Sequence, residues 1–216
     1  MSKKRVLIVY YSFSGQTQLL IQRLVCGLEQ SNHEVVTERL QPVDQLPFPF
    51  TSWAMMAKVM VYSFFRWRVP VNQVNDIVYE KWDLVIIAGP TWSYSPSGPV
   101  LAFLDKYGRD LCEGTTIVPF ISCRSYWRTH YWGLKFILNK LGGKVTRPIV
   151  YLHCSSEPWR TIGLFLQLMG KLPRLESSWF RRRYPRYGHS KEQCADALEQ
   201  GKMMVNRLMS KGDMGK

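Results

Sequence analysis

A turn rich in hydroxyl groups follows the first apolar stretch of the chain. Residues 5–11 have the pattern of a buried strand, and residues 16–30 have that of a helix. The residues at the junction are Ser12, Phe13, Ser14, Gly15, Gln16 and Thr17. N–H groups at the start of a helix attract anions, and the Ser and Thr hydroxyls can donate hydrogen bonds to phosphate oxygens. The glycine spacings of triphosphate and dinucleotide loops are absent. The turn therefore suits a single phosphate monoester, with an ordinary capped turn as the alternative.

A second candidate loop follows another apolar run at 83–88. Its sequence begins Gly89-Pro-Thr-Trp-Ser-Tyr-Ser-Pro and continues as Ser97-Gly-Pro-Val, which is typical of a helix start. The residues that could contact a ligand here are Pro90, Thr91, Trp92, Ser93 and Tyr94. Trp92 and Tyr94 offer flat aromatic surfaces for a planar ring, although core packing is the alternative for each of them.

Apolar periodicity places these loops in an alternating chain of strands and helices. The predicted strands are 5–11, 34–40, 83–88, 115–122 and 144–154, and the predicted helices are 16–30, 98–107, 130–141 and 191–209. Strands that alternate with helices indicate a parallel sheet covered on both faces. The sequence therefore predicts an α/β fold of three layers (α/β/α), doubly wound around a five-stranded parallel sheet.

The two loops together resemble those of the flavodoxin-like family, which includes FMN-binding flavodoxins and NAD(P)H-dependent flavin and quinone reductases. The shared motifs are strand-SxSGxT-helix at 12–17 and strand-GPTWxxxPSGPV-helix at 89–100. The resemblance implies the strand order 2-1-3-4-5, with the ligand where the loops after strands one, three and four converge. The third loop is then 122–130, which lacks the glycine-rich or acidic sequence usual in the family.

The resemblance also implies roles for individual residues. FMN would be the cofactor, with its phosphate on the backbone of 13–17 and its ring against Trp92 or Tyr94. The third loop would contribute Ser122, Cys123, Arg124 and Tyr126. Arg124 would favour an anionic reduced flavin or hold the pyrophosphate of NAD(P)H, the expected reductant. His130 is a weak candidate proton donor, with a packing or helix-capping role as the alternative. Cys123 is either a redox thiol or an inert buried one.

Two segments exceed what a five-stranded fold requires, at about 41–80 and 155–189, and both are aromatic and basic. They could pack on each other over the sheet, form an apolar roof above a substrate pocket, or lie on an anionic membrane. The formal net charge of +13, from 29 Lys and Arg against 16 Asp and Glu, makes an anionic partner an expectation. No nucleic-acid-binding motif accompanies the basic residues, so we do not expect a nucleic-acid partner.

The length of 216 residues fits a single domain, 1–216, with these two segments as inserts. Five cysteines without a CxxC pair indicate neither a disulfide framework nor a metal site, so we expect a reducing cytoplasm. Peripheral association with the inner face of a membrane is a second expectation. The cysteines are Cys26, Cys112, Cys123, Cys154 and Cys194.

These patterns predict an FMN-dependent oxidoreductase that transfers hydride or electrons from NAD(P)H to a small aromatic or quinone-like acceptor. One alternative is a non-enzymatic electron carrier of the flavodoxin kind, working with an acidic redox partner. Another is a flavodoxin-like fold recruited to bind or process a long-chain alkyl substrate at a membrane surface. The resemblance is also compatible with a homodimer.

Overall fold

A parallel sheet forms the centre of the computed structural model, which describes residues 3–172, 178–185 and 188–212. The strands are β1 (Arg5–Tyr10), β2 (Glu34–Arg39), β3 (Leu84–Trp92), β4 (Ser95–Pro96), β5 (Thr116–Cys123), β6 (Lys144–Val145) and β7 (Ile149–Leu152). The helices are α1 (Gln16–Gln30), α2 (Trp53–Phe64), α3 (Gly98–Cys112), α4 (Trp127–Lys140), α5 (Trp159–Leu168), α6 (Ser178–Arg183) and α7 (Lys191–Gly212), with a short 3-10 helix at Asp76–Tyr79.

The sheet has the predicted order, with seven strands instead of five. Its path is β2-β1-β3-β5-β6, and β7 also pairs with β5 in parallel. The predicted fifth strand, 144–154, is thus divided into two short strands, β6 and β7, which both pair with β5. Pro148 lies between them, and a proline has no N–H to donate to a sheet ladder. The seventh strand is β4, which forms an antiparallel hairpin with an extended β3.

Helices cover both faces of the sheet, as the α/β/α prediction requires. On one face, α1 and α7 pack on the apolar side chains of β1 and β3, including Val6, Ile8 and Ile86. On the other face, α3 and α4 pack on Leu7, Val85 and their neighbours. Successive side chains of a strand point to opposite faces, so each central strand contributes to both cores. The site loops therefore begin at strands that are fixed on both sides.

The two inserts form helices that contact each other. In the first insert, Ser52 caps α2 by accepting a hydrogen bond from Met55 N–H at 3.1 Å. In the second insert, α5 and α6 are described, whereas residues 173–177 and 186–187 lie outside the described residues. The backbone N–H of Phe50 donates to the carbonyl of Leu168 at 2.7 Å, which joins the inserts. Across the described ranges, every helix is too short or too polar to cross a bilayer.

Candidate functional site

The hydroxyl-rich turn connects β1 to α1 with the geometry that an anion site needs. Gly15 adopts a left-handed conformation (φ 79°) immediately before the helix, which favours glycine at this position. Ser12 Oγ accepts a hydrogen bond from Gln18 N–H at 3.2 Å and so ties the turn to the helix. The first N–H groups of a helix have no acceptor within it. The N–H groups of Gln16 and Thr17 are therefore placed to donate to a ligand.

The second loop is a tight hairpin at the end of β3. Trp92 packs edge-on against Tyr11 and Phe13, with ring centroids 5.6 and 5.9 Å apart, so much of its surface belongs to the core. Tyr94 is exposed over 43% of its surface and packs against Tyr126, with ring centroids 4.5 Å apart. Of the two aromatic residues predicted to contact a planar ligand, Tyr94 has the more accessible ring.

The third loop lies at the end of β5 and is shorter than predicted, because α4 begins at Trp127 and not at His130. Tyr126 precedes the helix in a left-handed conformation (φ 59°). Arg124 Nη1 donates to the hydroxyl of Tyr184, in the second insert, at 2.9 Å. Burial raises the pKa of the Cys123 thiol to about 12, so this thiol stays protonated at neutral pH.

One cavity of about 530 Å³ brings the three loops together. Fourteen of the fifteen predicted cofactor-binding residues line it, together with residues of both inserts. The predicted residues that line it are Ser12, Phe13, Ser14, Gln16, Thr17, Pro90, Thr91, Trp92, Ser93, Tyr94, Ser122, Cys123, Arg124 and Tyr126. Gly15 shapes the turn but does not line the cavity. The inserts add Phe50, Val59, Met60, Ser63, Glu157, Thr161, Leu164, Phe165 and Leu168.

His130 lies behind the cavity wall and does not face the cavity. Its side chain is almost fully buried, and a hydrogen bond of 2.8 Å joins His130 Nδ1 to Thr91 Oγ1. Burial lowers the pKa of His130 from 6.5 to about 3, so the imidazole is neutral. His130 is therefore placed to orient the Thr91 hydroxyl, which does line the cavity. Arg124, the other weak catalytic candidate, is part of the cavity wall.

The neutral state of His130 predicts a pH dependence of stability. The unfolded chain takes up a proton at this residue below pH 6.5, whereas the folded chain does so only near pH 3. The free energy of unfolding should therefore fall as the pH drops below 6.5, with up to about 1.4 kcal/mol per pH unit from His130. Urea unfolding of wild type and His130→Gln between pH 6.5 and 5.5 measures this contribution. Equal slopes in the two proteins would contradict it.

Comparison with solved structures supports the fold. A candidate flavoprotein from Bacteroides eggerthii is 16% identical; the match covers 78% of this chain and 99% of that one, with a TM-score of 0.56. A candidate flavoprotein from Bacteroides uniformis is also 16% identical, with 76% and 99% covered and a TM-score of 0.55. The fold is flavodoxin-like. No protein-family model matches the sequence, and the search of curated proteins gave no match.

The sequence reasoning missed a polar network that supports the third loop of this flavodoxin-like fold. Ser122 Oγ and His189 Nε2 share a buried hydrogen bond of 2.8 Å, and His189 Nδ1 lies 3.2 Å from Gln193 Oε1. Tyr184, which bonds Arg124, stacks on His153 with ring centroids 5.2 Å apart. No motif spacing connects these residues, because each pair is brought together only by the second insert and α7. The signal in the sequence that pointed to these contacts was the presence of two aromatic inserts beyond what the fold requires.

Proposed function

We propose that the cavity binds FMN, with the phosphate at the N-terminus of α1. The fit rests on the chemistry of the donor set. The N–H groups of Gln16 and Thr17 and the hydroxyls of Ser12, Ser14 and Thr17 suit the oxygens of one phosphate monoester. The cavity volume of about 530 Å³ lies in the usual range for a cofactor site. The two solved structures compared above, with TM-scores of 0.56 and 0.55, are described as candidate flavoproteins, which supports the proposal.

The proposed ring site combines aromatic surfaces with a cation. Tyr94 and Tyr126 offer aromatic surface, and Trp92 also lines the cavity. Arg124 places a positive charge in the cavity wall. A cation here would stabilise negative charge on a reduced ring. Tyr184 holds the guanidinium in position through its hydroxyl.

The roof of the cavity favours an enzyme over an electron carrier, and it is the observation on which the proposed activity depends. Val59 and Met60 of α2 and Leu164, Phe165 and Leu168 of α5 enclose the space beside the proposed ring site with apolar side chains. A carrier exposes its flavin edge to a partner, whereas an enclosed apolar space accepts a small molecule. When bound, FMN would take a hydride from NAD(P)H and pass two electrons to the acceptor. The lining suits an aromatic or quinone-like acceptor.

The first experiment is a visible absorption spectrum of the purified protein, followed by titration with FMN while tryptophan fluorescence is recorded. A yellow protein or saturable quenching supports the cofactor. NAD(P)H oxidation with a series of quinones then tests the activity. Colourless protein that does not bind FMN would refute the proposed cofactor. FMN binding without NAD(P)H oxidation would favour the electron carrier.

Tyr94 allows a specific test of the ring site. Tyr94→Ala removes an aromatic surface at the cavity wall, so the affinity for FMN should fall about tenfold. Because Tyr94 is half-exposed, the free energy of unfolding should change little. Tyr79→Ala is the matched control, since Tyr79 is 53% exposed but packs on Tyr107, away from the cavity lining. FMN titration compares wild type, Tyr94→Ala and Tyr79→Ala. Equal affinities in all three would show that the flavin ring does not contact Tyr94.

A further inference from the structure

Exposed aromatic side chains lie at the cavity mouth and on the two helices, α2 and α4, that adjoin it. Tyr94 and Tyr126 belong to both the lining and the exposed surface, so they mark the mouth. Trp132 and Phe136 are 68% and 72% exposed and lie one helical turn apart on α4. We call this set of side chains the aromatic rim; its members are Phe64, Phe65, Tyr94, Tyr126, Trp132 and Phe136.

Contacts join the rim residues at the cavity mouth, and Trp132 and Phe136 continue the rim along α4. Phe64, at the end of α2, packs edge-on against Tyr94 with ring centroids 6.2 Å apart, and Tyr94 packs against Tyr126 at the start of α4. Between α2 and α4, Arg66 Nε donates to Ser95 Oγ at 3.0 Å. The Arg66 guanidinium also lies beside Gly133 of α4, where an added Cβ would be 3.6 Å from Arg66 Nη2. The end of α2, the β3–β4 hairpin and α4 therefore adjoin one another.

The segments that carry the rim are basic, and Glu157, an acid in the cavity lining, is paired with Arg160 at 3.0 Å. The segments 45–75 and 114–156, which supply every rim residue except Tyr94, contain nine Lys or Arg residues and no Asp or Glu. Arg128 and Lys135 are exposed on α4 beside Trp132 and Phe136. Arg68 pairs with Asp105 of α3 at 2.7 Å, an exposed pair at the border. The rim thus combines apolar contact groups with a flanking excess of positive charge.

We propose that the aromatic rim docks on an anionic lipid bilayer, with the cavity mouth turned towards the membrane. Aromatic side chains favour the interface between headgroups and acyl chains, and flanking Lys and Arg side chains are attracted to anionic headgroups. A bilayer satisfies both features of the rim at once. The exposed rings can insert into the apolar part of the bilayer. The negative charge of the headgroups attracts the basic segments that carry the rim.

Vesicle cosedimentation tests the proposal without any flavin measurement, so its failure is separate from failure of the proposed function. The wild-type protein should sediment with vesicles of phosphatidylcholine and phosphatidylserine, weakly or not at all with phosphatidylcholine alone, and less at high salt. Arg128→Gln with Lys135→Gln should lower the partition coefficient about thirtyfold. Trp132→Ser with Phe136→Ser should lower it at least tenfold.

Matched variants separate a docking face from general attraction by the net charge. Arg23→Gln with Lys191→Gln removes two exposed charges from α1 and α7, on the opposite face of the sheet. Tyr79→Ala removes an exposed ring outside the rim. Both controls should keep at least a third of the wild-type partition, and circular dichroism should show all variants folded. The proposal fails if the control charges matter as much as Arg128 and Lys135, or if wild type does not bind anionic vesicles, which would favour an acidic protein partner.

Discussion

Thr17→Asp is expected to lower the affinity for FMN about a thousandfold. Thr17 is in the first turn of α1 and lines the cavity at the proposed phosphate site. Two unit charges about 4 Å apart repel each other by about 4 kcal/mol at an effective dielectric constant of 20. That free energy corresponds to roughly three orders of magnitude in the dissociation constant. Thr17 is only 2% exposed, so the favourable interaction of a first-turn carboxylate with the helix dipole offsets only part of its desolvation cost, and affinities are compared in protein that circular dichroism shows to be folded.

Two further variants isolate the charge at position 17. Thr17→Asn has nearly the shape of the aspartate without its charge, and it should bind FMN within about tenfold of wild type because one hydroxyl hydrogen bond is worth about 1 kcal/mol. Gln18→Asp places a charge in the same turn at a side chain that does not line the cavity. Titration with FMN, monitored by tryptophan fluorescence, ranks the variants. Unchanged affinity for FMN in a folded Thr17→Asp protein would show that the phosphate does not bind at this turn.

The elements with strong local patterns could be predicted from the sequence. The helix predicted at 16–30 has these bounds in the structure, and the strand order is the one that the resemblance to the flavodoxin-like family implies. Buried parallel strands are continuous apolar runs, so β1 and β3 were recognisable before any contact was known. The convergence of the three loops then follows from topology, because the carboxyl ends of parallel strands lie at one edge of the sheet.

The features that sequence reasoning missed depend on contacts between distant residues. Arg124 and Tyr184 are 60 residues apart, and Ser122 and His189 are 67 apart. Neither pair belongs to a motif, so spacing carries no information about it. The start of α4 was predicted at His130 but lies at Trp127, so His130 is turned inward to Thr91, as its packing alternative describes. The roof was one of three open interpretations of the inserts, since a helix rich in methionine and aromatic residues suits each of them.

The packing of α1 against α7 gives the largest expected effect on stability. A Cβ on Gly27 of α1 would overlap the carbonyl oxygen of Leu198, and one on Gly201 of α7 would overlap that of Leu24. Two helix backbones approach this closely only where both carry glycine. Gly27→Ala should therefore separate the helices and lower the free energy of unfolding by about 3 kcal/mol. In thermal unfolding, a loss of this size corresponds to a decrease of roughly 6–12 °C in Tm.

Gly133→Ala is the matched control for Gly27→Ala. Gly133 is also inside a helix, α4, but its nearest neighbour to an added Cβ is the flexible end of Arg66 at 3.6 Å. Alanine favours the helix over glycine by up to about 1 kcal/mol, so this variant should be as stable as wild type or more stable. Equal losses in the two variants would mean that α1 and α7 are not in close contact. Gly27 and Thr17 are about 15 Å apart along α1. Folded Gly27→Ala should therefore bind FMN normally, whereas folded Thr17→Asp should not.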